Sequence, residues 1–564
     1  MKYTAPSLND CDKEPIHVIG HIQSYGYILV LNKEEFVVEQ VSENIEALLG
    51  VSVEEVLGNP VDYFFPFSFL DHFNNHFQNS KNDDHYSLSF ELNKKEYILT
   101  THGMDDRLIL EVEPDNPANR QNSHHKYADL VDNLAYDLDK PDSLDKIYEM
   151  VLDRMHPILG FDRMMIYRFD ADDHGEVVGE RASNGKQKFL GLKFPNTDIP
   201  KQARKLYLEN NTRGIYDVND TPVAVTPALR ESDQKPLDLT YSFLRSVSPI
   251  HVSYLKNMGI TSSFSISILV RNKLWGMILC HHETGPLRLD IHQRRSASFI
   301  GNILSQKISS ITESYKLKNL RERLSGMRGI ISGFVSSEDL HHTLQANQTT
   351  LINNFKAHDY ALFYDDKVSC SDSTINKEWV MVLREQLAQQ NSNVVSSSSL
   401  STDFSELKIE AKYPAGALAL RLSKELNEYL ILLRKEQVQT VDWAGKPQNP
   451  SDKKLSPRNS FEKWTEEVKG QSKIWEEDEV IFAEELRMQL IESIISVSNR
   501  NTKSPQFEFR KRLEERNLEL ENKNRELMGQ LEKLRKLEAE YGITKEVLQA
   551  KNNMHTLKNV RKKI

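Results

Sequence analysis

Between residues 194 and 282 the sequence gathers side chains that can recognise a charged, conjugated molecule. They are one acid (Asp198), two histidines (His251 and His281), two tyrosines (Tyr207 and Tyr254) and two arginines (Arg213 and Arg245). No phosphate-cradling glycine loop, HExxH helix or GxSxG elbow accompanies them. Two arginines in one pocket suit a ligand with two carboxylates, because each guanidinium can bind one of them bidentately. Aromatic and small residues around a histidine suit a flat conjugated ligand. Taken singly, each residue also has a plainer use: Asp198 capping a helix, His251 and His281 filling a core, Arg213 and Arg245 pairing at the surface. Residue chemistry alone therefore leaves the ligand unnamed. Cys11 is the other reactive group. It lies in a polar N-terminal extension, where a thiol is accessible, whereas Cys280 lies in a strand-like run and is expected to be buried.

These residues need a scaffold, and the hydrophobic periodicity supplies one. The chain has 564 residues, enough for three or four domains. Residues 1–115 alternate strand-like runs (Tyr27–Leu31, Phe36–Val41, Tyr97–Thr101, Arg107–Val112) with polar turns, and include a helical stretch at Val41–Leu49. A polar linker with Pro114 and Pro117 follows. Residues 127–305 read as helix Tyr127–Leu159 broken near Lys140-Pro141, strand Arg163–Phe169, and strand Ser263–Val270 turning at Asn272-Lys273 into Leu274–His281. Helix Asp290–Leu304 closes this segment. Residues 306–505 repeat the theme, starting with helix Ile308–Val335 continuing without a break. An insertion rich in Pro, Gly, Lys and Trp interrupts them at 438–475, and an insertion of that length is usually functional or disordered. The expected fold class is α+β and multidomain, with antiparallel sheets flanked by helices.

Residues 506–564 carry a heptad. Leu513, Leu520, Leu527, Leu534, Tyr541 and Leu548 recur every seven residues, with Asn517 and Asn524 at the facing position. This predicts a C-terminal coiled coil and a parallel dimer. The net charge is −10, from 72 basic and 82 acidic residues, which argues against nucleic-acid or anionic-membrane binding. No apolar run predicts a membrane span. Three cysteines without CxxC spacing fit a reducing cytoplasm and predict no metal site.

Three blocks of sequence belong together. The first is Cys11 with Glu14-Pro15-Ile16-His17 and Gly20-His21-Ile22-Gln23-Ser24-Tyr25-Gly26. The second is Phe194-Pro195-Asn196-Thr197-Asp198-Ile199-Pro200. The third is Leu244-Arg245-Ser246-Val247-Ser248-Pro249-Ile250-His251, closed by Leu274-Trp275-Gly276 and Cys280-His281-His282. They resemble the signature blocks of bacteriophytochromes over about residues 8–480. The resemblance implies PAS, GAF and PHY domains in that order, the first two joined by a figure-of-eight knot. It also implies a biliverdin IXα cofactor bound by a thioether to Cys11. The attachment cysteine that other phytochromes carry before the histidine is replaced here by Ile250.

By the same resemblance, Asp198, Ile199 and Pro200 lie against the bilin, His251 stacks beside its central rings, and His281 meets the D-ring carbonyl. Arg213, Arg245, Ser248, Ser263 and Ser265 match propionate-binding positions, and Met165, Tyr167, Phe194, Tyr207 and Tyr254 match the D-ring surroundings. The Asn196-Thr197 pair departs from the family's usual Ala-Ser. Trp443-Ala444-Gly445 and Ser456-Pro457-Arg458-Asn459-Ser460-Phe461 resemble the PHY tongue. There Arg458 pairs with Asp198 in one state and Ser460 replaces it in the other, with Trp464 and Trp475 on the refolded face.

The implied function is a red/far-red photoreceptor acting by photoisomerisation, tongue refolding and a coiled-coil output helix. It is a sensor rather than an enzyme, a homodimer through GAF/PHY helices and the coiled coil, and it signals to a downstream domain or protein. The rivals are a non-photochromic bilin- or ligand-sensing PAS–GAF protein and the sensor fragment of a histidine kinase. His555-Thr556-Leu557 bears only a faint kinase likeness.

Overall fold

The computed structural model describes residues 14–66, 69–73, 76, 86–115, 133–134, 136–138, 140–141, 143–183, 185, 187–372, 375–404, 407, 413–446 and 460–500, with 516, 518, 523 and 525. Cys11, Arg458, His555 and nearly all of the heptad segment 506–564 lie outside the described residues. The chain forms two compact units. One comprises Met1–Lys316 with Thr440–Glu467, the other Leu317–Gln439 with Val468–Ile564. No described helix is long and apolar enough to cross a membrane.

The first unit holds two sheets. One has seven strands in the order His21–Ile22, Val223–Thr226, Val38–Ser42, Tyr27–Asn32, Arg107–Pro114, Lys95–Met104, Tyr86–Leu92. Its second member comes from about 200 residues away in sequence, because Val223–Thr226 lies between His21–Ile22 and Val38–Ser42 and bonds antiparallel to both. The segment before Tyr27 is held by both limbs of the loop around residues 216–246. Val225 N–H reaches the Gly20 carbonyl at 3.0 Å, Leu239 N–H that of His17 at 2.8 Å, and Gln23 N–H that of Leu244 at 2.8 Å. Ile22 is fully buried among Ile19, Ile28, Leu237, Leu239 and Leu244.

That intruding strand corrects the expected helix at Val41–Leu49. Val41 and Ser42 are drawn into the ladder against Thr226 and Val225, so helix is left only at Glu46–Leu49 and Val53–Val56. Gly50 at φ 75° ends the first, and a Ser52/Glu55 capping box opens the second.

The other sheet has eight strands, in the order Thr212–Ile215, Ser262–Val270, Lys273–His282, Arg163–Phe169, Gly175–Ala182, Lys193–Phe194, Gln439–Ala444, Lys463–Val468. The hairpin turn falls at Arg271-Asn272, one residue earlier than expected. Both have positive φ (52° and 58°), as a two-residue type I′ turn requires. Helix Leu144–Leu159 covers one face, burying Ile147, Val151, Leu152 and Met155 against Ile166, Ile266 and Ile278. The helix segments at 290–304 and 308–335, expected to run on without a break, form one helix, Ile291–Ser337.

The second unit contains a five-stranded sheet, Lys367–Cys370, Asp359–Tyr364, Glu428–Arg434, Gly416–Ser423, Val394–Ser397, packed against helix Glu477–Arg500. Trp475 belongs to this core, which corrects its assignment to the tongue. Its indole N–H donates to the Ser397 carbonyl at 3.1 Å, and the Arg434 guanidinium covers its ring at 3.6 Å. Stacking on a guanidinium held by Glu479 (2.9 Å) fixes Trp475 in the unit's interior, and the inserted part of the first unit is accordingly narrower, Thr440–Glu467.

Within the first unit, Arg294 on helix Ile291–Ser337 donates to both Glu113 carboxylate oxygens, at 2.8 and 2.5 Å, with both residues buried. Arg294→Met would strand a buried carboxylate. The expected cost is about 3–5 kcal/mol, largely recovered when Glu113→Leu is added. Urea unfolding of the two variants checks this.

Candidate functional site

The eight-stranded sheet sorts its residues by the period of two. On Arg163–Phe169, Met164 and Ile166 enter the helix-covered core, so Met165 and Tyr167 face the opposite side. On Lys273–His282, Ile278 and Cys280 enter the core and Met277, Leu279 and His281 face away from it. On Ser262–Val270 the same rule turns out Ser263 and Ser265. The outward face is roofed by the turn Asn196–Asp198, helix Lys201–Glu209 and helix Pro249–Asn257. A cavity of about 440 Å³ lies between sheet and roof.

Every described residue expected at the ligand lines this cavity: Met165, Tyr167, Phe194, Asp198, Ile199, Pro200, Tyr207, Arg213, Arg245, Ser248, His251, Tyr254, Ser263, Ser265 and His281. Gly175 makes room for one wall, since a Cβ there would fall 1.7 Å from Tyr167 Cζ.

The polar groups are arranged in pairs. Tyr254 Oη donates to Asp198 Oδ2 at 2.9 Å, and Tyr207 Oη lies 2.8 Å from Ser265 Oγ. Ser248 Oγ accepts from Ile250 N–H at 3.3 Å, capping helix Pro249–Asn257, and donates to Glu14 Oε2 at 2.7 Å. The His251 and Tyr254 rings stack at 6.0 Å.

The arginines are not surface pairs. Arg213 Nη2 donates to the carbonyls of Arg245 and Ser246, and Arg245 Nη1 to that of Ile16 at 3.1 Å. Arg213 Nη1 and Arg245 Nε are buried with no acceptor, and no described carboxylate pairs with either group. Burial, and then the charge of Arg245, hold the Arg213 guanidinium below the usual arginine range. Burial also lowers Arg245. His281 Nδ1 is likewise buried without a partner. Burial, followed by Arg213, pushes His251 down to about 4; burial, followed by Arg163 and His251, pushes His281 down to about 3. Such a cavity favours an elongated, largely apolar molecule bearing negative charge at one side and hydrogen-bonding groups at the other. Among the described residues no cluster of His, Cys, Asp or Glu is placed to hold a metal ion.

The insertion adds to the same sheet. Trp443 pairs with Lys193, its indole N–H donates to Glu466 at 2.9 Å, and its ring meets His174 edge-on at 5.2 Å. Phe461 sits edge-on to Tyr254 at 5.2 Å and gives its carbonyl to Gln187 at 3.2 Å. Ser460 is exposed and accepts from Glu462 N–H at 3.4 Å. Trp464 lies on strand Lys463–Val468 with Lys446 5.9 Å over its ring.

Sequence reasoning missed four contributors. Glu14 reaches the cavity through Ser248, inside a block already singled out. Met277 and Leu279 could have been found by counting back in twos from His281. Gln23 ties the N-terminal segment to the site: its amide donates to the Gly214 carbonyl at 3.1 Å and accepts from Tyr216 N–H at 3.0 Å.

Three family models match the chain: a PAS fold over residues 11–115, a GAF domain over 143–308 and the phytochrome region over 327–499. Cyanobacterial phytochrome B of Nostoc sp. is 30% identical over 531 residues, covering 92% of this chain and 69% of that protein. The chain belongs to the phytochrome family. A bacteriophytochrome of Pseudomonas aeruginosa is 29% identical, covering 87% of this chain and 67% of that one. The chain thus spans about two thirds of the length of these curated phytochromes. Among solved structures, a bacteriophytochrome from R. palustris superposes with a TM-score of 0.76 at 28% identity, covering 86% of this chain and 99% of that one. The photosensory core module of the Stigmatella aurantiaca phytochrome gives 0.73 at 30%, covering 86% and 98%. The PAS–GAF–PHY architecture is therefore that of phytochrome photosensory cores.

The two lowered histidines make the pigment-free phytochrome acid-sensitive. Each binds a proton more readily unfolded than folded, so stability declines as pH falls below about 6.5, towards the folded values. Thermal melting at about pH 7 and about pH 5 is expected to show this loss, and His251→Gln with His281→Gln to reduce it.

Proposed function

We propose that this chain is a light sensor that binds biliverdin in the cavity of its GAF domain and reports photoconversion through the tongue. The observation that carries the reading is the pair of buried guanidinium groups, Arg213 and Arg245, with orphaned nitrogens in a largely apolar cavity. Two such cations call for two anionic groups on one ligand, and a bilin carries two propionates. When bound, the bilin supplies red-light absorption and an isomerisable double bond.

The protein's part is to hold and read it. Arg213 and Arg245, with Ser263 and Ser265 nearby, take the propionates. Asp198 and His251, which line the same cavity, would hold the polar core of the bilin. His281, whose Nδ1 has no partner among the described residues, would offer a hydrogen bond to the bilin, and Tyr167, Phe194, Tyr207 and Tyr254 would wall the apolar part of its site.

Attachment falls to Cys11. The described cysteines are Cys280 and Cys370. Cys280 faces the opposite core, where burial pushes its thiol well up, and Cys370 belongs to the second unit. Position 250 is isoleucine. Glu14 lines the cavity, and the three residues back to Cys11 can span about 10 Å.

Signalling follows from Asp198. Its carboxylate is bonded by Tyr254, Tyr254 is packed against Phe461, and Arg458 stands three residues before Phe461. Arg458 pairs with Asp198 in the red-absorbing state; loss of that pair releases the tongue hairpin, a bistable element biased by one charge pair. The heptad after residue 506 supports a homodimer through a coiled coil, with a downstream domain or protein as its target.

Two measurements test this. Absorption spectra with biliverdin, before and after red light, are expected to interconvert reversibly, and Cys11→Ser to lose pigment on a denaturing gel. Pigment that neither binds nor responds to light would remove the reading. Arg458→Ala is expected to lengthen the light-state lifetime, because it removes a contact that holds the tongue in its hairpin form. An unchanged spectrum, lifetime and infrared difference signature would remove the Asp198–Arg458 route.

A further inference from the structure

The PAS strand Arg107–Pro114 is buried on both faces. Leu108, Leu110 and Val112 enter the PAS core. Ile109, Glu111 and Glu113 face the other way, where Leu237, Leu239 and Leu244 of the GAF loop pack with Ile109. Glu113 is matched by Arg294. Glu111, 3% exposed, is matched chiefly by backbone. Its Oε2 accepts from Leu244 N–H at 2.7 Å and its Oε1 from Phe243 N–H at 3.2 Å, with His102 Nδ1 3.6 Å away.

Those two amides immediately precede the cavity residues. The next carbonyls, of Arg245 and Ser246, are the acceptors that dock Arg213, and the Arg245 side chain holds Ile16. One carboxylate on the PAS sheet thus anchors the limb from which both cavity arginines are placed.

We propose that Glu111 is a positioning residue for the ligand cavity, fixing Arg213 and Arg245 by gripping the Phe243 and Leu244 amides. This rests on the bilin reading of the cavity. A carboxylate accepting two successive backbone N–H groups makes charge-assisted bonds, and its loss leaves two buried donors unmatched. Glutamine cannot substitute, because its amide nitrogen would meet one of those donors.

The grip also titrates. Burial pushes the Glu111 carboxyl up, the Leu244 amide opposes this, and Glu113 adds to it, for a balance of about 7. Around it stand Glu113 on its own strand, His102 on the neighbouring one, Tyr25, and Arg294 from helix Ile291–Ser337. Glu111, Tyr241 and Arg295 line a second cavity of about 320 Å³, which shares Asn210 and Thr212 with the ligand cavity. Above about 7 both oxygens accept fully. Below it, one becomes a hydroxyl and one amide bond weakens.

The test has two readouts on the full chain. The first is hydrogen exchange of residues 239–248 without pigment, in wild type, Glu111→Gln and Glu111→Asp. The second is the rate of biliverdin uptake at about pH 8 and about pH 6, followed by absorbance in a Cys11→Ser background so that thiolate ionisation does not contribute. Faster exchange in Glu111→Gln, assembly slowed about tenfold or more, and loss of the wild-type difference between the two pH values are expected. Glu111→Asp, an acid too short to reach both amides, is expected to fall between, and it decides the matter if the glutamine variant fails to fold. Unchanged exchange, or faster exchange with unchanged assembly at both pH values, overturns the proposal. A wild type that takes up no biliverdin fails the bilin reading instead, and exchange alone then judges the grip of Glu111.

Discussion

Two guanidinium groups share one cavity with little but backbone to hold them. In water, Arg213 and Arg245 would repel weakly; removed from it, each demands compensation several times larger. The compensation comes from carbonyl oxygens, those of Arg245 and Ser246 for one group and Ile16 for the other. Carbonyls orient an arginine without neutralising it. The cavity is therefore built with a standing demand for negative charge, and its surroundings can be understood as the means of sustaining that demand. The loop limb must be rigid, the N-terminal segment must be pinned beneath it, and the histidines must remain neutral.

This demand explains why three parts of the chain remote in sequence converge. The N-terminal segment supplies Ile16 and Glu14, the GAF sheet supplies the floor, and helix Pro249–Asn257 supplies His251 and Tyr254. Tyr254 then faces two ways, with its hydroxyl on Asp198 and its ring against Phe461. One side chain thus joins the cavity to the inserted segment Thr440–Glu467 without any long-range wire between them.

Much of this was legible in the sequence because side-chain type and period two carry the information. The resemblance placed Met165, Tyr167, Ser263 and Ser265 at the ligand, and period two accounts for each pair sharing a face, while Asn272 marks the hairpin. What was illegible depended on partners distant in sequence. Val41 and Ser42 look helical until Val223–Thr226 is placed beside them. Trp475 reads as part of an aromatic-rich insertion until Arg434 covers its ring. Glu111 looks like the exposed half of an alternating strand, because nothing local shows that a loop from another domain closes over that face.

The shared PAS sheet also orders events in time. His21 and Ile22 leave the ribosome early, but their strand partners, Val223 and Ala224, emerge about 200 residues later. At roughly 5–20 residues per second, the N-terminal segment waits on the order of 10–40 s before its neighbour exists. Until then the PAS domain is a sheet with an open edge and an uncovered face. Its completion is an event in the biosynthesis of the GAF domain, so the two domains are made in sequence but finished together.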